Sequence, residues 1–272
     1  MSTGNGIAVN GTVLWVEDTG EANLPPIVCL HSLWLDGSMF DALVVAAKGR
    51  FRVVRPDFRG QGGSAPGFTD AISMDCCADD MIALSDALDL PPVHLLAASM
   101  GGDVAARMVA KKPDLFRSMV MVGSSVCTEP PEQKAHFTEW LDGMSGHKSF
   151  VGDDLDMLMS IMFGATTRAR PDADTILDHW RKKLELTPRS AWPALIGVLE
   201  RGTAVPLLAG ITTPTFIMNG EEDMPRPPAW AKEVADGIKG AKLEMIKGVG
   251  HTPIIEAPEV VIPKILDFMA AH

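Results

Sequence analysis

Ser99 stands where an apolar run, Leu95-Leu96-Ala97-Ala98, gives way to the helix-like stretch Met100-Gly101-Gly102-Asp103. A serine at a strand-turn-helix junction can be held on a strained turn that pushes its hydroxyl out of the backbone as a nucleophile. Strand and helix can approach that closely only if the residues two before and two after it are small, and here they are Ala97 and Gly101. The helix that follows would aim its N-terminal dipole and the Met100 N–H at the reaction site. Ser99 also reads as an ordinary N-cap, a role that would tie its hydroxyl to the first helical turn.

A serine hydroxyl is inert near neutral pH without a base in hydrogen-bond reach and an acid to orient that base. The stretch Phe216-Ile217-Met218-Asn219-Gly220-Glu221-Glu222-Asp223 reads as a strand running into a turn, which sets Asp223 at the carboxyl end of a sheet. Gly248-Val249-Gly250-His251-Thr252-Pro253 follows the last strand and sets His251 in a loop on the same edge. In an open parallel sheet that edge is where ligands bind. Three separately placed motifs arise by chance far less readily than one. Taken singly, Asp223 is as readily a turn former and His251 a loop histidine with its bonds satisfied. Glu221 and Glu222 are reserve acids, ranked below Asp223. His94, His136, His147, His179 and His272 have no motif around them and read as structural or surface residues.

The elements that must position these groups alternate. Strand patterns cover Gly11–Asp18, Pro26–Leu30, Phe51–Arg55, Val93–Ala97, Ser118–Val122, Thr215–Met218 and Leu243–Ile246. Helical patterns cover Met39–Ala47, Met74–Leu88, Gly102–Lys111, Ala229–Ile238 and Glu259–Ala271, and Pro263 should kink the last or shift its start. Strand-helix alternation predicts an α/β fold, a mostly parallel sheet with helices on both faces. From Cys127 to Pro206 the alternation gives way to helical periodicity rich in Met and Trp. That segment is expected to be a helical lid inserted after the Ser118–Val122 strand, so that residues 1–126 and 207–272 form the core and 127–206 the lid. Trp140, Met144, Met157, Met159, Met162, Trp180 and Trp192 fall in it, and most of them should be packing. Trp34 together with Trp140, Met144 and Met162 of the lid is expected to line an apolar pocket. Arg168, Arg170, Arg181 and Arg189 could offer a guanidinium to a substrate carboxylate, although arginines on helices are usually solvated.

The chain has 272 residues, 46% of them hydrophobic, enough for one large globular domain with an insertion. Its net charge of −11 excludes nucleic acid and anionic membrane as default partners, because both demand basic surface. The start, MSTGNGIAVNGTVLW, lacks a basic segment followed by an apolar core, and no apolar run is long enough to cross a bilayer, so a cytoplasmic location is expected. Cys29, Cys76, Cys77 and Cys127 have neither metal-ligand nor disulfide-scaffold spacing, so reduced thiols and no metal or cofactor are expected. Tyrosine is absent, which removes it as an oxyanion donor or general acid. A homo-oligomer is compatible with all of this.

Over almost its whole length the chain resembles the α/β-hydrolase superfamily. The chain order Ser99, Asp223, His251 is that family's order, and Ala97-Ala98-Ser99-Met100-Gly101 is similar to its G-x-S-x-G elbow with alanine for the first glycine. Asp57-Phe58-Arg59-Gly60-Gln61-Gly62-Gly63-Ser64 is similar to a structural turn of the family, with glycines for positive φ. The loop Cys29-Leu30-His31-Ser32-Leu33-Trp34 corresponds to one that usually reads His-Gly-x. The resemblance therefore implies an oxyanion hole made by the N–H groups of Leu33 and Met100, with Ser32 in place of the glycine. Ser32-Leu33 followed by Asp36, Met39 and Phe40-Asp41 also resembles the N-S-L-G-x-x-x-x-M-W-D stretch of 3-oxoadipate enol-lactonases, with His31 for Asn and Trp34 for Gly. The implied activity is serine hydrolysis of a small carboxylic ester or lactone without a cofactor. Carbon–carbon hydrolases and cofactor-free perhydrolases keep the same triad and stay open, as does a ligand receptor on the same scaffold. Asp-nucleophile dehalogenases and epoxide hydrolases do not fit a serine at position 99 and a chain without tyrosine.

Overall fold

Short apolar runs become strands because, in a sheet covered on both faces, every side chain meets packing on one side or the other. The computed structural model describes residues 4–66, 69–144 and 149–272. His147 lies outside these residues. Among them the strands are β1 (Asn5–Val9), β2 (Thr12–Asp18), β3 (Pro26–Leu30), β4 (Arg52–Pro56), β5 (Val93–Ala98), β6 (Phe116–Val122), β7 (Thr215–Gly220) and β8 (Lys242–Ile246). They form one eight-stranded sheet in the order β1-β2-β4-β3-β5-β6-β7-β8. The β1–β2 and β2–β4 pairs are antiparallel and all the others parallel, giving the expected mostly parallel sheet. β1 falls outside the sequence expectation. It forms a hairpin with β2 through Asn10 and Gly11, both at positive φ (43° and 72°), a turn in which Asn-Gly is favoured.

Successive strand residues point to opposite faces, and the core divides accordingly. Ile27, Cys29, Leu96 and Ala98 join one buried cluster, whereas Val28, Leu30, Leu95 and Ala97 join the other. Helices α1 (Asp41–Ala47), α2 (Met74–Ala87) and α3 (Met100–Lys111) follow β3, β4 and β5. The Leu43 stripe of α1 covers the first face, and Met81 of α2 and Val104 of α3 cover the second. Each fully buried aliphatic side chain of this kind contributes roughly 1.5–3 kcal/mol relative to exposure.

Between β6 and β7 lie α4 (Pro131–Gly143), α5 (Gly152–Met162), α6 (Ala165–Arg168), α7 (Ala173–Glu185), α8 (Trp192–Glu200) and α9 (Val205–Leu208). Met159 and Trp180 are buried in the first cluster and are packing residues, while Leu208 of α9 belongs to the second cluster with α3. The chain ends with α10 (Pro228–Gly237), α11 (Pro253–Glu256) and α12 (Pro258–Ala270). Helix α12 starts at Pro258 and runs on through Pro263, whose ring leaves one helical carbonyl without its N–H donor. Strands β3, β5, β7 and β8 run in one direction, so the loops after them leave the same edge of the sheet.

Candidate active site

Ser99 sits between β5 and α3 at φ 52° and ψ −116°, a conformation that costs a non-glycine residue about 1–3 kcal/mol. The surrounding structure enforces it. A Cβ at Gly101 would lie 2.4 Å from the Leu30 carbonyl oxygen, and one at Gly102 would lie 2.3 Å from Ser124 Oγ. Ala97 is buried in the second cluster, between Leu30 of β3 and Met121 of β6. The Ser99 hydroxyl makes no capping hydrogen bond to α3. It lies 2.7 Å from His251 Nε2 instead, which separates the two readings of this serine.

His251 Nδ1 is 3.0 Å from both carboxylate oxygens of Asp223. An ionised carboxylate only accepts, so Nδ1 carries the proton and Nε2 is left to accept from Ser99. All three residues are buried. Asp223 is fixed in turn by the Arg226 N–H, which donates to its Oδ1 at 2.8 Å. Glu222 is engaged elsewhere: it accepts from the Thr166 N–H at 2.8 Å and from the Thr166 hydroxyl, and these bonds hold its carboxyl below the usual range. Glu221 is exposed.

The loop carrying His251 is held by Glu256, a residue the sequence reading passed over. This carboxylate is fully buried and accepts from the N–H groups of Gly250 (3.0 Å), Thr252 (2.9 Å) and Gly164 (2.9 Å) and from Thr167 Oγ1 (2.6 Å). Thr252, the N-cap of its own helix, is a local donor, but Gly164 and Thr167 stand 92 and 89 residues away, so no local motif announces the role.

In the loop after β3, the His31 ring is structural. Its Nε2 accepts from the Phe58 N–H at 2.8 Å and its Nδ1 donates to the Ser32 carbonyl at 2.7 Å. Trp34 has φ 63°, and its N–H donates to Gln61 Oε1 at 2.7 Å. The glycine-rich turn that supplies Gln61 is organised by Asp57, which accepts from Gly37 and Gly63 N–H groups at 2.8 Å each. Gly60 and Gly62 take the positive φ that their motif implied (76° and 53°).

A cavity of about 170 Å³ opens over Ser99 and His251. Leu33, Met100, Trp34 and Met162 line it, but Trp140 and Met144 do not. Helix α4 contributes Gln133 and Phe137 to the wall, and Trp140, one turn on, packs behind Trp34. Trp140 stacks on Phe150 (ring centroids 5.6 Å apart) and donates to Asp154 at 2.8 Å. Met144 ends the helix in the packed core. The arginines proposed from sequence also lie off the cavity. Arg168 and Arg170 donate to the carbonyls of Phe163 and Glu256, Arg181 pairs with Asp156, and Arg189 lies over the Trp192 ring. The arginine that does reach the cavity is Arg226, beside Glu129.

Those two belong to a buried ion network. Glu129 Oε1 is 2.7 Å from Arg226 Nη2 and 3.0 Å from Arg201 Nη1, and Arg201 Nε is 3.1 Å from Asp103 Oδ2. Burial and the neighbouring Arg226 charge pull Arg201 down to about 10, which still leaves it protonated at neutral pH. The four cysteines are free. Burial pushes the Cys29, Cys77 and Cys127 thiols up, the reverse of what an activated thiolate needs. Among the described residues no helix is long and apolar enough to cross a membrane.

A model described as the alpha/beta hydrolase family matches residues 27–264. The chain is 26% identical over 254 residues to 3-oxoadipate enol-lactonase 1 of Acinetobacter baylyi, a match covering 92% of this chain and 90% of that protein. It is 24% identical over 259 residues to the pimeloyl-(acyl-carrier protein) methyl ester esterase of Aeromonas hydrophila, covering 93% and 98%. Among solved structures, the thermophilic esterase from Thermogutta terrifontis superimposes with a TM-score of 0.86 at 26% identity over 99% of each chain.

Proposed function

The chain belongs to the alpha/beta hydrolase family, and from that premise we propose that it cleaves small carboxylic esters or lactones through an acyl-enzyme on Ser99. The observation that carries this reading is the 2.7 Å contact between Ser99 Oγ and His251 Nε2, made by a serine that caps nothing. Its relatives include enzymes named as an enol-lactonase and a methyl ester esterase, which supports ester hydrolysis as the activity.

His251 Nε2 takes the Ser99 proton as Oγ bonds to the substrate carbonyl carbon. Asp223 holds the imidazole tautomer and stabilises the imidazolium. Leu33 and Met100 line the cavity with Ser99, and their N–H groups donate to the oxyanion of the tetrahedral intermediate. Its collapse expels the alkoxide, which takes the proton back from His251. A water deprotonated by His251 then attacks the acyl carbon, and Ser99 leaves with that proton. For a lactone the leaving alkoxide stays attached to the acyl group, so one product results. Helices α4–α8 act as the lid that excludes bulk water from this chemistry, and the four free thiols support a reducing, cytoplasmic compartment.

The test is initial-rate hydrolysis of p-nitrophenyl acetate and an uncharged δ-lactone by wild type and Ser99→Ala. Loss of the order of 10⁴–10⁶ in rate is expected in the variant. Turnover surviving in Ser99→Ala would remove Ser99 from the mechanism.

A further inference from the structure

The cavity above Ser99 has two charged side chains in its wall besides the proposed base, and the proposed mechanism uses neither. We infer that Glu129 neutralises Arg226 so that the site accepts uncharged, apolar acyl groups and rejects esters carrying a second, free carboxylate. This rests on the serine-hydrolase reading above and adds to it a substrate class and the residue that sets it.

The guanidinium of Arg226 already faces a carboxylate, a backbone carbonyl and an aromatic ring. Its Nη2 is 2.7 Å from Glu129 Oε1, its Nη1 donates to the Pro225 carbonyl at 2.6 Å, and its plane lies over the Trp230 ring with the centroid 5.7 Å away. Glu129 cannot easily turn away, because the same Oε1 also meets Arg201 at 3.0 Å. Arg201 in turn is held by Asp103 of α3 and donates to the Cys127 carbonyl at 2.9 Å. The network therefore joins the chain just before α4, the chain just after α8, the nucleophile helix and the loop bearing Asp223. Glu129 is 8% exposed and Arg226 6%, so little solvent screens them. A substrate carboxylate drawn to Arg226 would meet Glu129 there, two carboxylates competing for one guanidinium in a partly dry cavity. Like charges so placed cost enough to discriminate by about 10²-fold or more. Elsewhere in the wall Phe137, Leu158, Ile161 and Leu195 offer an anion no donor, and Ser32 and Gln133 offer only uncharged ones.

The experiment compares kcat/KM for methyl pentanoate and monomethyl glutarate, chains of equal length that differ by a terminal carboxylate, using pH-stat titration at pH 7.5 with Ser99→Ala as the blank. Wild type should prefer methyl pentanoate by about 100-fold. Glu129→Gln should narrow that preference by about 10-fold or more, mainly through KM for glutarate, because Arg226 is then free to pair with the substrate. Comparable wild-type rates on the two esters would overturn the inference, as would an unmoved ratio in a folded Glu129→Gln protein. If Glu129→Gln does not fold, Arg226→Gln decides: selective loss of glutarate hydrolysis, a wider preference for pentanoate, would show that Arg226 reads a substrate carboxylate and overturn the proposal, whereas an unchanged preference supports it. Absence of Ser99-dependent hydrolysis of either ester is a different failure, that of the serine-hydrolase reading itself.

Discussion

Trp34 is a bulky residue in left-handed backbone space, at φ 63°, where enol-lactonase-like sequences carry glycine. Its ring is a wall shared by the cavity over Ser99 and a second cleft of about 220 Å³, bounded on the far side by Asp36 and Lys183. Phe150, 4.8 Å away between ring centroids, and Trp140, 6.0 Å away, hold the indole in place. Trp34→Gly should relax the backbone and join the two spaces. The ratio of kcat/KM for p-nitrophenyl octanoate to that for the acetate should then rise about 10-fold, since each methylene newly housed in an apolar pocket is worth roughly 1–3 kcal/mol. A uniform fall for both esters would mean that the ring only supports the loop. At this scale the sequence was legible where residue type alone carries meaning: Ser99, Asp223 and His251 stand at junctions that their neighbours define. It was not legible for Gln61, Glu129 and Arg226, whose partners lie tens of residues away and are fixed only by folding.

Helix α11 is a single turn, yet its last residue, Glu256, ties the His251 loop to α6 with five hydrogen bonds, from the N–H groups of Gly250, Thr252 and Gly164 and the hydroxyls of Thr252 and Thr167. Glu256→Gln would put an amide donor where the carboxylate accepts, leaving at least one buried N–H unpaired. We expect a stability loss of about 2–4 kcal/mol and a fall in kcat of about 10- to 100-fold with KM little changed. Urea melts and steady-state kinetics check both, and normal kinetics at unchanged stability would refute the role. Element boundaries were read closely from apolar runs, because β3 to β7 are buried through most of their length. β1 escaped because Val9 is its only buried residue, so the alternation that marks a half-buried strand is missing; Asn10-Gly11 was the surviving signal. The pocket face of α4 was misjudged by one turn, since Phe137 and Trp140 are both apolar and only packing decides which meets the cavity.

Over the whole molecule, acid should be damaging in a specific window. His94 lies in β5, 1% exposed, with Nδ1 2.8 Å from Ser118 Oγ. Burial, helped by the charges of Arg117 and His272, pulls it down to about 4 from its ordinary 6.5. Between those values the unfolded chain binds a proton that the folded chain does not, so stability falls as pH drops from about 6.5 to about 4 and by at most about 3 kcal/mol from this group. Urea midpoints of wild type should drop across that window, and His94→Gln should drop less; parallel curves would contradict the assignment. The α/β architecture itself was legible from strand-helix alternation, because a parallel sheet needs a helical crossover between strands and the sequence spells out both periods. The measurement that bears most directly on the whole account is the intact mass of the protein after exposure to diethyl p-nitrophenyl phosphate, followed by peptide mapping. The account predicts one diethylphosphoryl group per chain, carried by Ser99, with ester hydrolysis lost in step and no adduct in Ser99→Ala. An active protein that stays unmodified, or one inactivated through another residue, would contradict it.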